Sequence, residues 1–272
     1  MPAPTRSRSS TASDPFLCEH GPEGYAAAAI WRLLAFASLK ADGAVKAELK
    51  RFGAGQNPVV VIDGFSGTVD AVVDLAAALA PFPAIAGNYY PGLRRVIAAA
   101  DGPANAYVEQ SCERLAPFIG GAFDVDGFDL IEASFSMVTA APSTLTPIQR
   151  APHFDSTDPK HFAVLHYLHV PHGSGTAFYR QRATGIERVT EANVATFVDR
   201  ARAEAAELPA DSGYIHGSDR FFEQIGAVEA VPDRLIVYRG SQLHSGIIPA
   251  GMEFSADPRA GRLTANIFVR GH

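Results

Sequence analysis

Cysteine is scarce in this chain of 272 residues: Cys18 and Cys112 are the two present, 94 positions apart. They cannot form the disulfide framework of a small secreted domain, so a reduced, cytoplasmic setting is the expectation. Long apolar runs are absent too. The nearest candidate, 26–39, has 14 residues with Arg32 among them, against the ~20 that a spanning helix needs, and no membrane partner is expected. The first fourteen residues, MPAPTRSRSSTASD, lack the apolar stretch of a signal peptide and read as a disordered tail. Basic charge is limited, with Lys+Arg 23 against Asp+Glu 29 and a net charge of -6. No clustered Lys/Arg stripe occurs, which argues against nucleic acid as the main partner. There is no GxSxG elbow, no CxxC pair and no glycine-rich phosphate loop, so serine hydrolase, dithiol and nucleotide chemistry have no anchor here.

What is present is the composition of a folded domain: 47% hydrophobic, 19% charged, mean hydropathy +0.03. Residues 15–55 read as an N-terminal helical extension, two helices from Glu23 to about Phe52 broken at Asp42-Gly43. Val59-Val60-Val61-Ile62 reads as a short buried strand, followed by a helix from Val69 to about Leu79. The stretch PFPAIAGNYYPG from Pro81 to Gly92 reads as a structured loop, and Ala104 to Leu115 as a helix. From Phe128 onward the pattern changes. Short apolar or alternating runs at Leu130 to Val138, Ala163 to Val170, Thr176 to Tyr179, Arg234 to Tyr238 and Leu263 to Val269 predict an antiparallel sandwich or barrel. A helical insertion near 185–226 interrupts them, with a helix over Glu191 to Leu208 and a second short one over Asp219 to Gly226. The fold class expected is α+β with a mainly β core.

Seven of the nine histidines fall between His153 and His244. In His153-Phe154-Asp155 an imidazole and a carboxylate leave the same face of an extended segment and can grip one ion. A third ligand completes the two-histidine, one-carboxylate set of non-haem iron, which leaves adjacent coordination positions open. His244, 89 residues after Asp155 and just before Ser245-Gly246, is the candidate. Arg262-Leu263-Thr264 then places a guanidinium and a hydroxyl on one strand face, a pair suited to a carboxylate.

This ordered set resembles the Fe(II)/2-oxoglutarate-dependent oxygenases. VVVIDGF at 59–65 and the stretch from Phe82 to Arg94 are similar to the lead-in of a bacterial oxygenase-like group of undefined substrate. The resemblance covers about 56–272 and implies a double-stranded β-helix, or jelly roll, over those residues. It implies Fe(II) on His153, Asp155 and His244, with 2-oxoglutarate held by Arg262 and Thr264. It also implies a contribution from Tyr167, because some oxygenases of this type place a tyrosine at the equivalent strand position. The activity implied is hydroxylation of a small-molecule or peptide substrate with release of succinate and CO2; demethylation and desaturation fit the same set. Asp155 argues against a halogenase, which needs that position empty. His244 and Arg262 are 18 residues apart, where the family usually has about ten. An enlarged hairpin loop absorbs the excess; otherwise Arg239 or Arg270 is the anchor.

Each residue also has a plain structural reading: His153 and His244 as turn histidines, Asp155 as a cap, Tyr167 as a core aromatic. The competing function is a non-catalytic or cupin-like metal-holding jelly-roll module, in which Arg262 faces solvent or pairs structurally. His161, His166, His169 and His172 fit no zinc spacing and read as mostly structural. Arg180 and Arg182 read as a solvated strand face, or, if either faces the site, as a sign of a carboxylate or phosphate on the substrate; Cys18-Glu19-His20 reads as no ligand set.

Overall fold

The computed structural model describes residues 46–84, 90–209 and 212–272. The expected tail at 1–14 and the helical reading of 15–45 lie outside these residues, as does Cys18-Glu19-His20. Among the described residues, ten strands form two antiparallel sheets. The large sheet has the order β1-β2-β8-β5-β10-β4-β3: β1 (Lys46–Phe52), β2 (Asn57–Asp63), β8 (Leu235–Arg239), β5 (His161–His169), β10 (Arg262–Gly271), β4 (Phe128–Val138) and β3 (Gly92–Val96). The small sheet is β7 (Phe222–Glu229), β6 (Gly175–Gln181) and β9 (His244–Ile247), extended at its β9 edge by a bridge to His153. From β4 onward the chain crosses between the sheets in jelly-roll order: β4 in the large sheet, the His153 segment in the small, β5 large, β6 and β7 small, β8 large, β9 small, β10 large. This is a double-stranded β-helix.

Strand alternation decides what lies where. In β2, Val60 and Ile62 face the helices α1 (Val69–Ala78) and α2 (Pro103–Phe123), whereas Val59 and Val61 face the small sheet. A strand buried on both faces reads as the unbroken β-branched run seen in the sequence. In β10, Leu263, Ala265, Ile267 and Val269 pack under the helices with Leu115, Phe118 and Ile119. The alternate residues Arg262, Thr264, Asn266 and Phe268 face the space between the sheets. A third apolar cluster, with Tyr179, Phe197, Phe221, Phe222 and Leu243, seats α3 (Val194–Ala205) on the back of the small sheet.

Two elements differ from the sequence expectation. Residues 46–52, KAELKRF, are rich in helix formers but form β1, because full antiparallel pairing of Lys46–Phe52 with β2 outweighs a propensity of tenths of a kcal/mol per residue. The short helix expected over Asp219 to Gly226 is instead the start of β7, paired with β6 from Gln181↔Phe222 to Gly175↔Glu229. The loop reading of Pro81 to Gly92 ends one residue into β3, a strand the Pro/Gly density concealed.

A buried polar cluster fastens the helical layer to the sheets. Asp233, in the turn between β7 and β8, accepts hydrogen bonds from Ser66 N and Gly67 N (both 2.8 Å), Ser66 Oγ (2.6 Å) and His166 Nε2 (3.0 Å). A carboxylate only accepts, so the Nε2–H of a neutral His166 donates to it and Nδ1 accepts from the Tyr107 hydroxyl at 2.8 Å. The histidine reading as structural therefore holds for His166. His169 Nδ1 lies 2.8 Å from Gly261 O, and His172 is exposed.

Candidate metal centre

His153 and Asp155 lie on the segment that enters β5, and His244 opens β9. His153 and His244 face each other in an isolated antiparallel bridge, with the reciprocal N–H···O bonds both 2.9 Å. Asp155 N donates to Gly240 O at 2.7 Å, which ties the carboxylate-bearing residue to the turn after β8. One ligand atom from each of His153, Asp155 and His244 falls within 4.8 Å of the others. His153 Nε2 is 3.9 Å from Asp155 Oδ1, and His244 Nε2 is 3.7 Å from Asp155 Oδ2.

The electrostatics favour metal-binding protonation states. Desolvation, reinforced at His153 by the adjacent His244, holds the imidazoles of His153 and His244 down to about 4, so both are neutral at pH 7. His244 Nδ1–H donates to Gln242 O at 2.8 Å, which fixes the tautomer and leaves Nε2 with its lone pair toward Asp155. Burial pushes the Asp155 carboxyl above the usual carboxylate range.

The three residues open onto a cavity of about 420 Å³ between the sheets. Arg262, Thr264, Asn266 and Phe268 line it from β10, Arg94 from β3, His161 from β5, and Tyr90, Pro91 and Tyr214 from the loops above. Tyr90 comes from the Pro81 to Gly92 stretch and Tyr214 from the insertion near 185–226. Arg262 is 5% exposed, its Nε has no hydrogen-bond partner, and its Nη2 donates to Gly175 O at 3.4 Å. The Tyr90 hydroxyl is likewise buried, and desolvation pushes it up to about 12 against the opposing effects of Arg262, Arg94 and the Thr264 side chain. The loop 248–261 absorbs the long interval between His244 and Arg262. The two alternative anchors are elsewhere: Arg239 lies over Phe123 and Phe162 and donates to Pro159 O, and Arg270 pairs with Asp158 at 2.7 Å on the surface.

Two further readings are corrected or refined. Tyr167 is fully buried but does not line the cavity; its hydroxyl donates to Thr176 Oγ1 at 2.7 Å, and Thr176 is the lining residue. His161 is not merely structural, because it lines the cavity with Nδ1 buried and unpartnered. Arg180 pairs with Glu187 and Glu223, and Arg182 donates to Asp219 O, both away from the site. Sequence reasoning missed Tyr90, Arg94, Thr176, Asn266 and Phe268. The last two were recoverable from the period of two that continues Arg262-x-Thr264.

A double-stranded β-helix that gathers two histidines and a carboxylate at one end of its inner cavity is the class of protein defined here. The chain belongs to the family described as "Family of unknown function (DUF6445)", whose model matches residues 43–269. No curated protein matches. Among solved structures it is similar to the non-heme alpha ketoglutarate dependent epimerase SnoN from nogalamycin biosynthesis, at 14% identity over 79% of each chain and a TM-score of 0.48. HygX from Streptomyces hygroscopicus, with nickel and 2-oxoglutarate bound, is 15% identical over 79% of this chain and 83% of its own, with a TM-score of 0.48. EctD from S. alaskensis, with 2-oxoglutarate and 5-hydroxyectoine, is 12% identical over 83% and 84%, with a TM-score of 0.43. No helix among the described residues is long and apolar enough to cross a membrane.

Proposed function

We propose that this protein is an Fe(II)/2-oxoglutarate-dependent oxygenase that hydroxylates a small-molecule or peptide substrate, with succinate and CO2 as co-products. The observation that carries the reading is the coexistence, in one cavity, of the His153-Asp155-His244 cluster and a buried guanidinium with an unpartnered donor, Arg262 Nε. A buried unpartnered polar group is costly unless a ligand completes it, and a carboxylate matches both Arg262 Nε and the Tyr90 hydroxyl. The spacing fits a short diacid. Gly246 is two residues beyond His244, ~7 Å along extended β9, and Arg262 Nη2 would be 3.9 Å from a Cβ built on Gly246.

In this reading His153 and His244 hold the metal through Nε2 and Asp155 through its carboxylate. Arg262, Tyr90 and Thr264 hold the distal carboxylate of 2-oxoglutarate. Tyr167 orients the Thr176 hydroxyl and acts through it. When bound, iron and 2-oxoglutarate supply the oxidising chemistry by oxidative decarboxylation with dioxygen. The chain contributes fixed ligands, a carboxylate clamp and apolar walls from Val138, Leu165, Ile248 and Phe268 that exclude water. The non-catalytic module expects Arg262 at the surface or structurally paired, and its burial beside the cluster favours the oxygenase.

Equilibrium dialysis of labelled 2-oxoglutarate against the Ni(II)-loaded protein tests the proposal. One molecule bound per chain is expected, with binding lost in Arg262→Ala and weakened in Tyr90→Phe. Binding that is absent, or indifferent to Arg262, counts against it.

A further inference from the structure

We propose that the second guanidinium of the cavity, Arg94, anchors a carboxylate of the primary substrate, so that the molecule oxidised at the metal is an organic acid. This rests on the oxygenase reading, which assigns Arg262 to the co-substrate. Among the described residues that line the cavity, the cationic side chains are Arg94 and Arg262 and the acidic one is Asp155. Asp155 is committed to the metal and Arg262 to the co-substrate, which leaves Arg94 facing the cavity without an anion on that side.

Arg94 is held as a positioned donor. Its Nε donates to Ser134 Oγ at 2.8 Å and its Nη2 pairs with Glu132, which approaches from β4 and is not a lining residue. Nη1 makes no hydrogen bond among the described residues, and the side chain is 18% exposed. The ion pair therefore orients the guanidinium and leaves one end of it for a ligand.

The surroundings of Arg94 complete a subsite. Its Cζ lies 5.7 Å from the centroid of the Phe268 ring, and the His161 ring lies 5.3 Å from the same centroid. Arg94 thus presents its free end beside an aromatic wall of the cavity. Such a constellation suits an oxygen-bearing head group on an otherwise apolar molecule.

The two guanidiniums are directed to different parts of the cavity: the Arg94 side chain runs along β4, past Ser134 and Glu132, to Phe268. Arg262 reaches away from Phe268, toward Gly175 and Gly246 on the small sheet.

The test uses the full chain, Ni(II)-loaded and saturated with 2-oxoglutarate, and two neutral-versus-charged probes of one shape, 4-fluorophenylacetate and 4-fluorophenylacetamide, followed by ¹⁹F NMR. The carboxylate is expected to bind without displacement by 2-oxoglutarate, about tenfold more tightly than the amide. Arg94→Gln is expected to erase that preference and Arg94→Lys, which keeps the charge, to retain part of it. Equal binding of the two probes, displacement by 2-oxoglutarate, or a preference untouched by both variants overturns the proposal. The same arms run without metal or 2-oxoglutarate separate the two readings. If 2-oxoglutarate fails to bind but the Arg94-dependent preference persists, the oxygenase reading falls and the subsite stands. If 2-oxoglutarate binds and no preference is seen, the subsite falls alone.

Discussion

His153 and His244 are directly opposed across an antiparallel bridge, each donating its backbone N–H to the other's carbonyl at 2.9 Å. The bridge is made by backbone alone, so the position of the two imidazoles does not depend on the imidazoles themselves. Two chain segments distant in sequence are held by it as a preformed pair of ligands.

Replacing His153 or His244 with alanine therefore removes a ligand without removing the bridge. Each variant is expected to fold and to melt near the metal-free wild type, but to lose metal-induced stabilisation. For the wild type that stabilisation is about 2.7 kcal/mol at roughly a hundredfold excess of metal over Kd. Asp155→Asn is expected to melt at or above the metal-free wild type, because burial disfavours its ionised form. Thermal unfolding with and without Ni(II) checks all three.

Gly240 controls the same segment from behind. Its carbonyl accepts from Asp155 N, and a Cβ at this position would lie 2.3 Å from His161 Nδ1 and 3.2 Å from Asp155 Cβ. Gly240→Ala must push His161 or Asp155 aside. We expect metal affinity to fall by about 10- to 100-fold, as for other changes to the residues that orient ligands, with destabilisation of about 1–3 kcal/mol from overpacking. Calorimetric metal titration and denaturant unfolding separate the two effects.

Asp233 gives a pH-dependent prediction remote from the metal. Its hydrogen bonds from His166, Ser66 and Gly67 hold its carboxyl well below the usual range against the opposing effect of burial. A depressed folded pKa means that the unfolded chain binds the proton first. The stabilisation is thus complete above the unfolded value of ~3.9 and is lost as pH falls below it. His166, held down by desolvation, adds a loss in the same direction that begins as pH drops below ~6.5. Asp233→Asn is expected to cost about 3 kcal/mol at pH 7, and the gap to wild type is expected to narrow from pH 5 to pH 3. A gap constant with pH in chemical denaturation contradicts this.

Much of the β core is legible in the sequence because burial on both faces writes itself as apolar runs: Val59 to Ile62, Leu235 to Tyr238, and the alternation of β10. The ligand triplet is legible because His-x-Asp obeys the strand period, and Arg262-x-Thr264 obeys it again. What is not legible depends on pairing partners. Lys46–Phe52 is a strand only because β2 offers it an edge, and Phe222–Glu229 only because β6 does. Tyr90, Arg94 and His161 sit in segments with no pattern of their own, and join the site because the loop before β3, the edge strand and the start of β5 meet above β10. Tyr167 had the right strand and the right face, yet Thr176 stands between it and the cavity.

The measurement that tests the account most directly is an anaerobic titration of the protein with Fe(II) and then 2-oxoglutarate, monitored for the visible charge-transfer band of a metal-chelated 2-oxo acid, with Arg262→Ala in parallel. The account predicts a saturable band that requires both additions, is abolished in His244→Ala, and needs far more 2-oxoglutarate to appear in Arg262→Ala. Iron binding without any band, or a band whose 2-oxoglutarate dependence is the same in Arg262→Ala as in wild type, contradicts it.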